Sequence, residues 1–481
     1  MFWRGLVGYL PANLVQGIVG LLSIVVFTRL LSPAAYGAYA VAFSAASLAH
    51  TLVFTWLEAA MARFYAREAE AGRLEAHFAA VYRTFAVLAA GFLLVAGAVA
   101  WLLPLGPELK GAVAAGLLCV PLRSLAKLAQ EHRRAAGRVR PSALLDIGQS
   151  SGAFVIGAGL ALAGAGGAAP LLGAGLAAVA CVAFVLPGEI ALARRDQFDR
   201  KRAAEYLHYG LPVSLSLILS LALATTDRFM LAGFLSPASV GVYHAGYSLS
   251  NRTLDVLFIW LGAAGGPAAI MALERGGAAA LKETAREQAS LMLLICLPAA
   301  AGLALVAHPL AQIMVGEGLR DGAARVTPWI AASGLFAGLT TYYLHTAFIL
   351  ARRTRLMLVA MAIPAAANLG LTWVLIPRFG LDGAMWATTA SYAIGAVASY
   401  ALGRQAMPLP IPWGALVRCG LATAAMAAAV RLVPAYGGPI ELLAKAGVGV
   451  AVYGLCAFAL DAAGIRSRRG HMVRALQGAP A

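Results

Sequence analysis

Long apolar blocks alternate with short polar segments along the whole chain. Residues 84–103, TFAVLAAGFLLVAGAVAWLL, carry no charged side chain. A helix of about 20 residues, rising about 1.5 Å per residue, crosses the roughly 30 Å hydrocarbon core of a bilayer. The sequence lacks the ten-residue alternating segments that are typical of a transmembrane β-barrel. Because a lipid-exposed backbone must satisfy its hydrogen bonds internally, the pattern predicts membrane-spanning α-helices.

The number of apolar blocks predicts about 14 transmembrane helices, and therefore an all-α polytopic membrane protein. Composition agrees, since 61% of the residues are hydrophobic and only 12% are charged, whereas soluble domains carry about 25% charged residues. The mean hydropathy is +0.79. The predicted spans are approximately residues 6–31, 38–62, 82–103, 109–130, 142–164, 168–193, 208–232, 240–264, 289–310, 326–350, 356–377, 382–403, 413–433 and 440–461.

Lysine and arginine are concentrated in every second loop, which predicts the orientation of the chain. Basic residues are frequent in loops such as 63–83, 194–202 and 352–355, and few in the loops between them. By the positive-inside rule, both termini are expected on the cytoplasmic side of the membrane. The dispersed basic loops account for most of the net charge of +16 and argue against a nucleic-acid partner. The basic residues of the two ends are Arg4, Arg466, Arg468, Arg469 and Arg474.

One short phrase occurs twice, as LSPAAYGAY at residues 31–39 and as LSPASVGVY at residues 235–243. Each copy follows a span, and we expect its proline to stop that helix and its glycine to permit a tight reversal. The copies are six spans apart, which predicts two parallel six-helix repeats, and such repeats indicate a transporter. The predicted domains are an N-lobe of spans 1–6 (1–193), a cytoplasmic linker (194–207), a C-lobe of spans 7–12 (208–404), and spans 13 and 14 with a basic cytoplasmic tail (405–481).

Several cations fall within the predicted spans, where a charge at the helix centre costs roughly 2.5–3.5 kcal/mol. Such residues usually face a wet interior. Arg252 lies near the middle of span 8, with Asp255 on the same helix face. The other candidates are Arg123 and Lys127, four residues apart in span 4, and Arg29 and Arg228, near the outer ends of spans 1 and 7.

A cavity lined by these side chains would suit an anionic cargo, because arginine stays charged and binds two phosphate oxygens at once. Two other interpretations remain open, namely buried ion pairs that fix helix packing and side chains that reach the headgroups. In span 2, Ser44, Ser47, Thr51 and Glu58 share one helix face, which suits either a sugar or hydrogen bonding between helices. His50 is predicted to be a packed histidine.

Motifs for catalysis are missing from the sequence. There is no GxxxxGK[ST], HExxH or GxSxG. The five cysteines lie in apolar blocks without a CxxC pair, which favours packing over a disulfide or a metal site. The sequence therefore predicts a transporter without cofactor or firm metal site, driven by an ion gradient, the membrane potential or substrate supply.

The chain resembles the polysaccharide or lipid-linked oligosaccharide flippases of the multidrug/oligosaccharidyl-lipid/polysaccharide (MOP) exporter superfamily. The matching segments are TRLLSPAAYGAYAVAFS at 28–44, RFYAREAEAG at 63–72, DRFMLAGFLSPASVGVYHAGYSLS at 227–250 and NLGLTWVLIPRFGLDGAMWATTASY at 368–392. The resemblance implies two lobes that rock between inward-open and outward-open states. It also implies a cationic cavity that takes the head group of an undecaprenyl-diphosphate sugar.

The resemblance further assigns roles to individual residues. Arg29 and Arg252 match cavity arginines of related precursor flippases, and Glu58 matches an acidic residue of span 2. The region that binds sodium in some relatives corresponds here to Asp227, Asn368, Thr372 and Thr388. Thr372 stands where a second carboxylate is expected, which leaves coupling to sodium open. Protons acting through Glu58 or Asp255 are the other route.

These observations predict a flippase that moves an undecaprenyl-diphosphate-linked glycan, such as an O-antigen precursor, across the inner membrane by alternating access. Its partners would be this lipid-linked glycan, membrane lipids, and glycan polymerase or assembly proteins. The open alternatives are a multidrug or cation antiporter on the same fold, a lipid II-type precursor flippase, a membrane-bound glycan polymerase or ligase, and a non-transporting member of a glycan assembly machine.

Overall fold

The computed structural model describes residues 2–466, with side chains from residue 11 onward. Within this range the regular secondary structure is helical and no strand occurs. The predicted cytoplasmic positions Arg468, Arg469 and Arg474, and the side chain of Arg4, lie outside the described residues.

Contacts divide the chain into two compact units, Met1–His244 and Ala245–Ala481. The first unit contains nine helices and the start of a tenth. They are α1 (Phe2–Leu30), α2 (Pro33–Val53), α3 (Thr55–Glu70), α4 (Leu74–Leu102), α5 (Pro107–Ala135), α6 (Val139–Leu162), α7 (Ala169–Val182), α8 (Leu186–Ala193), α9 (Arg200–Phe234) and α10 (Pro237–Leu305).

Up to residue 466, the second unit contains the rest of α10 and seven further α-helices. These are α11 (Ala307–Met314), α12 (Glu317–Leu339), α13 (Thr346–Leu350), α14 (Thr354–Phe379), α15 (Leu381–Ala406), α16 (Trp413–Arg431) and α17 (Gly438–Ala459). A π-helical turn, Thr340–Leu344, joins α12 to α13, and its wider bond runs from the His345 N–H to the Thr340 carbonyl over 2.9 Å.

The predicted spans can be matched to these helices. By length and hydropathy, nine helices of the described chain can cross a membrane, or eleven if the pairs α2–α3, bent by 47°, and α7–α8, bent by 68°, each count as one span. Predicted spans 8 and 9 are both in α10, on either side of Gly277, whose φ of 65° and ψ of −157° interrupt the helix. Predicted spans 10 and 12 correspond to α12 and α15, so all 14 predicted spans have a helical counterpart.

The repeated phrase forms a helix start in both copies. Ser32 caps α2 by accepting a hydrogen bond from the Ala35 N–H (3.1 Å), and Pro33 is the first helical residue. Ser236 likewise accepts from the Ser239 N–H (3.2 Å) at the start of α10. The expectation that proline stops the preceding helix and glycine forms the turn is wrong. A proline at the first helical position sacrifices no hydrogen bond, so it begins the helix instead.

The two copies of the phrase pack against each other, and their glycines permit the contact. A Cβ on Gly37 would overlap the Pro237 carbonyl oxygen, and a Cβ on Gly241 would overlap the Pro33 carbonyl oxygen. Both glycines are buried inside their helices. The first turns of α2 and α10 therefore touch backbone to backbone, as small residues allow in membrane proteins. This reciprocal contact gives the repetition a physical reason.

A buried carboxylate ties the opposite end of α9 to the first helices. Glu68 is fully buried on α3 and accepts hydrogen bonds from Arg67 (2.9 Å) and Arg202, while Arg73 lies 3.2 Å away. Arg67 also donates two hydrogen bonds, of 2.7 and 3.2 Å, to Glu205. α9 is thus part of the first unit. The sequence-based domain limits, which begin the C-lobe at residue 208, remain a prediction.

Close helix contacts in the second unit also depend on glycine. A Cβ on Gly338 of α12 would overlap the Phe258 ring of α10, and a Cβ on Gly383 of α15 would overlap the Leu375 carbonyl oxygen of α14. Leu254, Phe258 and Met292 are fully buried in the apolar core of this unit.

The glycine contact between the two phrases leads to a stability prediction. Gly37→Ala should destabilise the protein by about 1–3 kcal/mol, because the new methyl group forces the helix starts apart. The matched control is Gly233→Ala on α9, where an added Cβ meets no atom within 4 Å. The thermal unfolding midpoint of the detergent-purified variants measures the difference. Equal midpoints for the two variants would disprove the packing role of Gly37.

Candidate functional site

A cavity of about 400 Å³ lies within the first unit, among α1, α2, α5, α6 and α7. Eight of its ten lining residues are polar, although the surrounding helices are apolar. The lining includes Gln16, His50, Arg123, Lys127, Gln149 and Ser150. Two of the predicted substrate-binding residues, Arg123 and Lys127, are thus brought to one cavity.

The position of these two cations follows from the pattern of α5. Leu128 and Ala129 are fully buried, and α5 packs against α2, α3 and α7. The four-residue spacing places Arg123 and Lys127 on one face of the helix, beside this packed face. The residues that anchor α5 thereby aim its two cations into the cavity.

In the described part of the chain, Arg123 has no direct counter-ion, although the more distant Glu58 carboxylate attracts its charge. Arg123 is partly buried, and its guanidinium lies 5.9 Å from the centre of the Phe43 ring. Among the side chains of residues 11–466, no carboxylate oxygen lies within 4.0 Å of it and no hydrogen bond engages it. A guanidinium at a membrane-spanning position is costly unless water or a ligand solvates it. Its donors are therefore available to an anion.

Lys127 is partly neutralised by its neighbours. Its ammonium lies 3.3 Å from a Glu131 carboxylate oxygen and donates to the Gln130 side-chain oxygen over 3.0 Å. Glu131 also pairs with Arg134 (3.1 Å), which in turn lies 3.6 Å from Asp146. Lys127 therefore belongs to a charged chain at the edge of the cavity, whereas Arg123 stands apart from it.

Glu58 lies next to the same cavity. The break between α2 and α3 precedes it by one turn, and its side chain is buried at 5% exposure. One carboxylate oxygen accepts a hydrogen bond from the Ser124 hydroxyl (2.8 Å) and lies 2.9 Å from the His50 Nε2. His50 lines the cavity, so it is more than the packed histidine that the sequence predicts. It links Glu58 to the cavity wall.

Arg29, Asp227 and Arg228 lie near the repeated phrase and do not line this cavity. Arg29 is exposed and donates to the Val25 carbonyl over 2.7 Å. Asp227 is fully buried and accepts a hydrogen bond from the Tyr243 hydroxyl. Arg228, also buried, donates from Nε to His244 Nδ1 over 3.3 Å. These contacts support the packing of α9 against the start of α10.

Arg252 and Asp255 are exposed side chains of the second unit. Asp255 accepts a hydrogen bond from the Asn251 amide over 2.6 Å. In the described part of the chain, Arg252 and Asp255 form no ion pair within 4.0 Å. The role of both residues in substrate binding stays a prediction.

The predicted ion-coupling residues of the second unit are all buried. Asn368, Thr372 and Thr388 are at most 1% exposed. Both polar atoms of the Asn368 side-chain amide are without a hydrogen-bond partner in the described structure. The Thr372 hydroxyl donates to the backbone carbonyl of Asn368 over 2.6 Å. Within the described range, no group of three or more His, Cys, Asp or Glu could hold a metal ion. The ion-coupling assignment remains a prediction.

Sequence reasoning missed the acidic Asp146 and four uncharged polar residues of the cavity, namely Gln16, Gln130, Gln149 and Ser150. A single polar residue in an apolar span does not show by itself which other helices it faces. The signal was present on α6, where Asp146, Gln149, Ser150 and Ala153 follow a helical spacing of three and four through an otherwise apolar span.

Comparison with solved structures identifies the fold as that of the MOP transporters. The lipid II flippase MurJ in an inward closed conformation has a TM-score of 0.79 and 12% identity, covering 95% of this chain and 99% of that one. An inward-facing multidrug resistance MATE family transporter has a TM-score of 0.70 and 15% identity, covering 81% and 94%. A MOP superfamily transporter from Pyrococcus furiosus has a TM-score of 0.54 and 16% identity, covering 83% of this chain and 92% of that one. The predicted fold class is confirmed.

The family is shown by the sequence. The family model described as polysaccharide biosynthesis protein matches residues 26–321, more than half of the chain. The chain therefore belongs to this family, and it shares the fold of the MOP transporters, as the resemblance predicted. Among curated proteins, none matches the chain.

The contacts of Glu58 lead to a prediction about coupling. Glu58→Ala leaves the buried Ser124 hydroxyl without its acceptor, which should cost about 1–3 kcal/mol. In a double-mutant cycle with Ser124→Ala, the two losses should be less than additive by at least about 0.5 kcal/mol. Unfolding of the purified variants by denaturant in detergent measures each free energy.

The matched control for this cycle is Ser44→Ala. Ser44 is buried on the preceding helix, α2, but its hydroxyl donates to the Ala40 carbonyl of that helix. Glu58→Ala and Ser44→Ala should therefore be additive. If the free-energy losses of Glu58→Ala and Ser124→Ala are as additive as those of the control pair, the hydrogen bond does not stabilise the site.

Proposed function

We propose that this protein is a flippase for an undecaprenyl-diphosphate-linked oligosaccharide or polysaccharide precursor, and that Arg123 binds the diphosphate. The observation that carries the proposal is the unpaired guanidinium of Arg123 in a polar cavity among apolar helices. The two planar N–H pairs of arginine match two phosphate oxygens, and the bonds are strengthened by charge on both partners. Lys127 adds a second positive charge one turn away.

The volume of the cavity suits a head group, and its polar lining disfavours the lipid tail. Ligand cavities commonly measure about 300–1,000 Å³. The observed 400 Å³ suits a diphosphate with the adjoining sugar. The polyprenyl tail would stay in the bilayer, where its transfer into a polar cavity would be unfavourable.

The membrane provides a driving force in the proposed direction. If the protein lies in a bacterial cytoplasmic membrane with both termini inside, the inside-negative potential favours outward movement of an anion. The effect is about 2.3 kcal/mol per charge for each 100 mV. Coupling to sodium through Asp227, Asn368, Thr372 and Thr388, or to protons through Glu58 or Asp255, would add to it. Arg29, Arg228 and Arg252 remain proposed contacts of the anionic cargo.

The chemistry of the cavity argues against the main alternatives. A multidrug antiporter for organic cations shares the fold, but a wall with Arg123 and Lys127 repels a cation. A lipid II-type cargo presents the same diphosphate to Arg123, and the polysaccharide biosynthesis family favours a glycan over it. We therefore propose transport without bond making or breaking, and a glycan precursor as cargo.

The proposal predicts the effect of removing the unpaired cation. Arg123→Ala should slow flipping at least about ten-fold, because charge-assisted hydrogen bonds contribute about 1.5–3 kcal/mol. The probe is undecaprenyl-diphosphate-N-acetylglucosamine with a fluorophore on the sugar, reconstituted with the purified protein in liposomes. Dithionite added outside quenches only the outer leaflet, so the rate of complete quenching reports flipping.

The matched control is Arg140→Ala, which removes an exposed arginine from α6 of the same unit. This variant should flip the probe at the wild-type rate. Arg123→Lys should be intermediate, since lysine retains the charge but not the two-pronged geometry. Wild-type liposomes that do not flip the probe, or an Arg123→Ala variant as fast as Arg140→Ala, would overturn the proposal.

A further inference from the structure

The cavity around Arg123 has two chemically different walls. Its α5 wall carries the cations Arg123 and Lys127. Facing helices α1 and α6 contribute the uncharged polar side chains Gln16, Gln149 and Ser150. One wall is suited to phosphate and the other to hydroxyl groups, and a sugar diphosphate contains both.

The two glutamines have unused hydrogen-bonding capacity. Among the described residues, neither the Gln16 amide nor the Gln149 amide makes a hydrogen bond. Each amide offers two N–H donors and one carbonyl acceptor. Gln16 is exposed and Gln149 is half-buried, so both amides are open to water or to a ligand that enters the cavity.

Ser150 and Gln130 add polar atoms to the same cavity. The Ser150 hydroxyl donates to the Asp146 carbonyl over 2.8 Å, which leaves its oxygen available as an acceptor. Gln130 is 2% exposed, and its side-chain nitrogen is a buried donor without a partner in the described structure. The site therefore combines unsatisfied donors with free acceptors, as the ring hydroxyls of a sugar require.

Small residues leave space along this wall. Ala153 of α6 and Ala174 of α7 line the cavity where larger side chains would fill it. Asp146, also in the lining, places a carboxylate at this side, and the Arg134 guanidinium 3.6 Å away offsets its charge only in part. Because like charges repel, an acidic sugar is disfavoured there.

We propose that Gln16, Gln149 and Ser150 form a subsite that binds the first sugar of the cargo and selects an uncharged sugar. The inference rests on the proposed function, because it assumes that Arg123 holds the adjoining diphosphate. It extends that function by assigning the selection of the glycan to a wall with no cation. Arg123 then supplies binding to any polyprenyl diphosphate, and the glutamines supply the preference for the sugar.

The test compares two lipids on the full-length protein in nanodiscs. The probes are undecaprenyl diphosphate, which has no sugar, and undecaprenyl-diphosphate-N-acetylglucosamine. The double variant Gln16→Leu/Gln149→Leu should bind the sugar-bearing lipid at least about ten-fold more weakly, through loss of two or more neutral hydrogen bonds. Its affinity for the sugar-free lipid should stay within about two-fold of wild type, which also shows that the variant is folded.

A second variant, Ala153→Leu, keeps every polar group and fills the space instead. It should also lose affinity for the sugar-bearing lipid and retain affinity for the sugar-free one. A third probe, undecaprenyl-diphosphate-glucuronic acid, should bind the wild-type protein more weakly than the N-acetylglucosamine lipid.

Arg123→Ala separates this inference from the proposed function. This variant should weaken the binding of both lipids equally. If Arg123→Ala changes the binding of neither lipid, the proposed function itself is contradicted. If Arg123→Ala weakens both lipids but the glutamine double variant binds the sugar-bearing lipid like wild type, only the subsite is refuted. Equal loss of both lipids in the double variant would also refute it, since the glutamines would then not read the sugar.

Discussion

The site depends on one constraint, namely that the guanidinium of Arg123 must be solvated although its helix lies among apolar segments. The part of the chain that the structure describes offers it no carboxylate within 4.0 Å. A charge in a medium of low polarity requires water, a counter-ion or a ligand. The 400 Å³ cavity provides space for any of these, and its walls of amides, hydroxyl and imidazole keep it polar. Arg123 therefore requires the cavity for its solvation, and the cavity accounts for a cation among apolar helices.

The packing of the first unit keeps this cavity in place. The glycine contacts between Gly37 and Gly241 fix the start of α10 against α2, and hydrogen bonds from Arg228 to His244 and from Tyr243 to Asp227 tie one end of α9 to this start. The buried carboxylate of Glu68, with Arg202, fixes the opposite end of α9 against α3. The Gly37–Gly241 contact consists of backbone packing, and the Glu68–Arg202 contact is an ion pair. Only the second can be weakened by charged solutes or by water that enters the protein.

The sequence alone was sufficient for the helical fold and for part of the site. Uncharged blocks of about 20 residues define spans without tertiary information, and the spacing of Arg123 and Lys127 places them on one face. The sequence was insufficient wherever a partner comes from another helix. It did not show that Arg228 contacts His244, that His50 contacts Glu58, or that Gln16 and Gln149 share a cavity. The role of Pro33 was misjudged for a local reason, since proline both ends and begins helices.

Water access to the cavity tests the central claim most directly. In a variant whose five native cysteines are replaced, a single cysteine is placed at Ala153, in the cavity wall, or at Val155, a 64% exposed apolar position of the same helix. A charged, water-soluble methanethiosulfonate reagent reacts only with thiols in contact with water. The account predicts that the cysteine at position 153 reacts readily, that undecaprenyl diphosphate protects it, and that the cysteine at position 155 reacts slowly. Equal, slow reaction at both positions would contradict the account, because Arg123 would then lie in a dry interior.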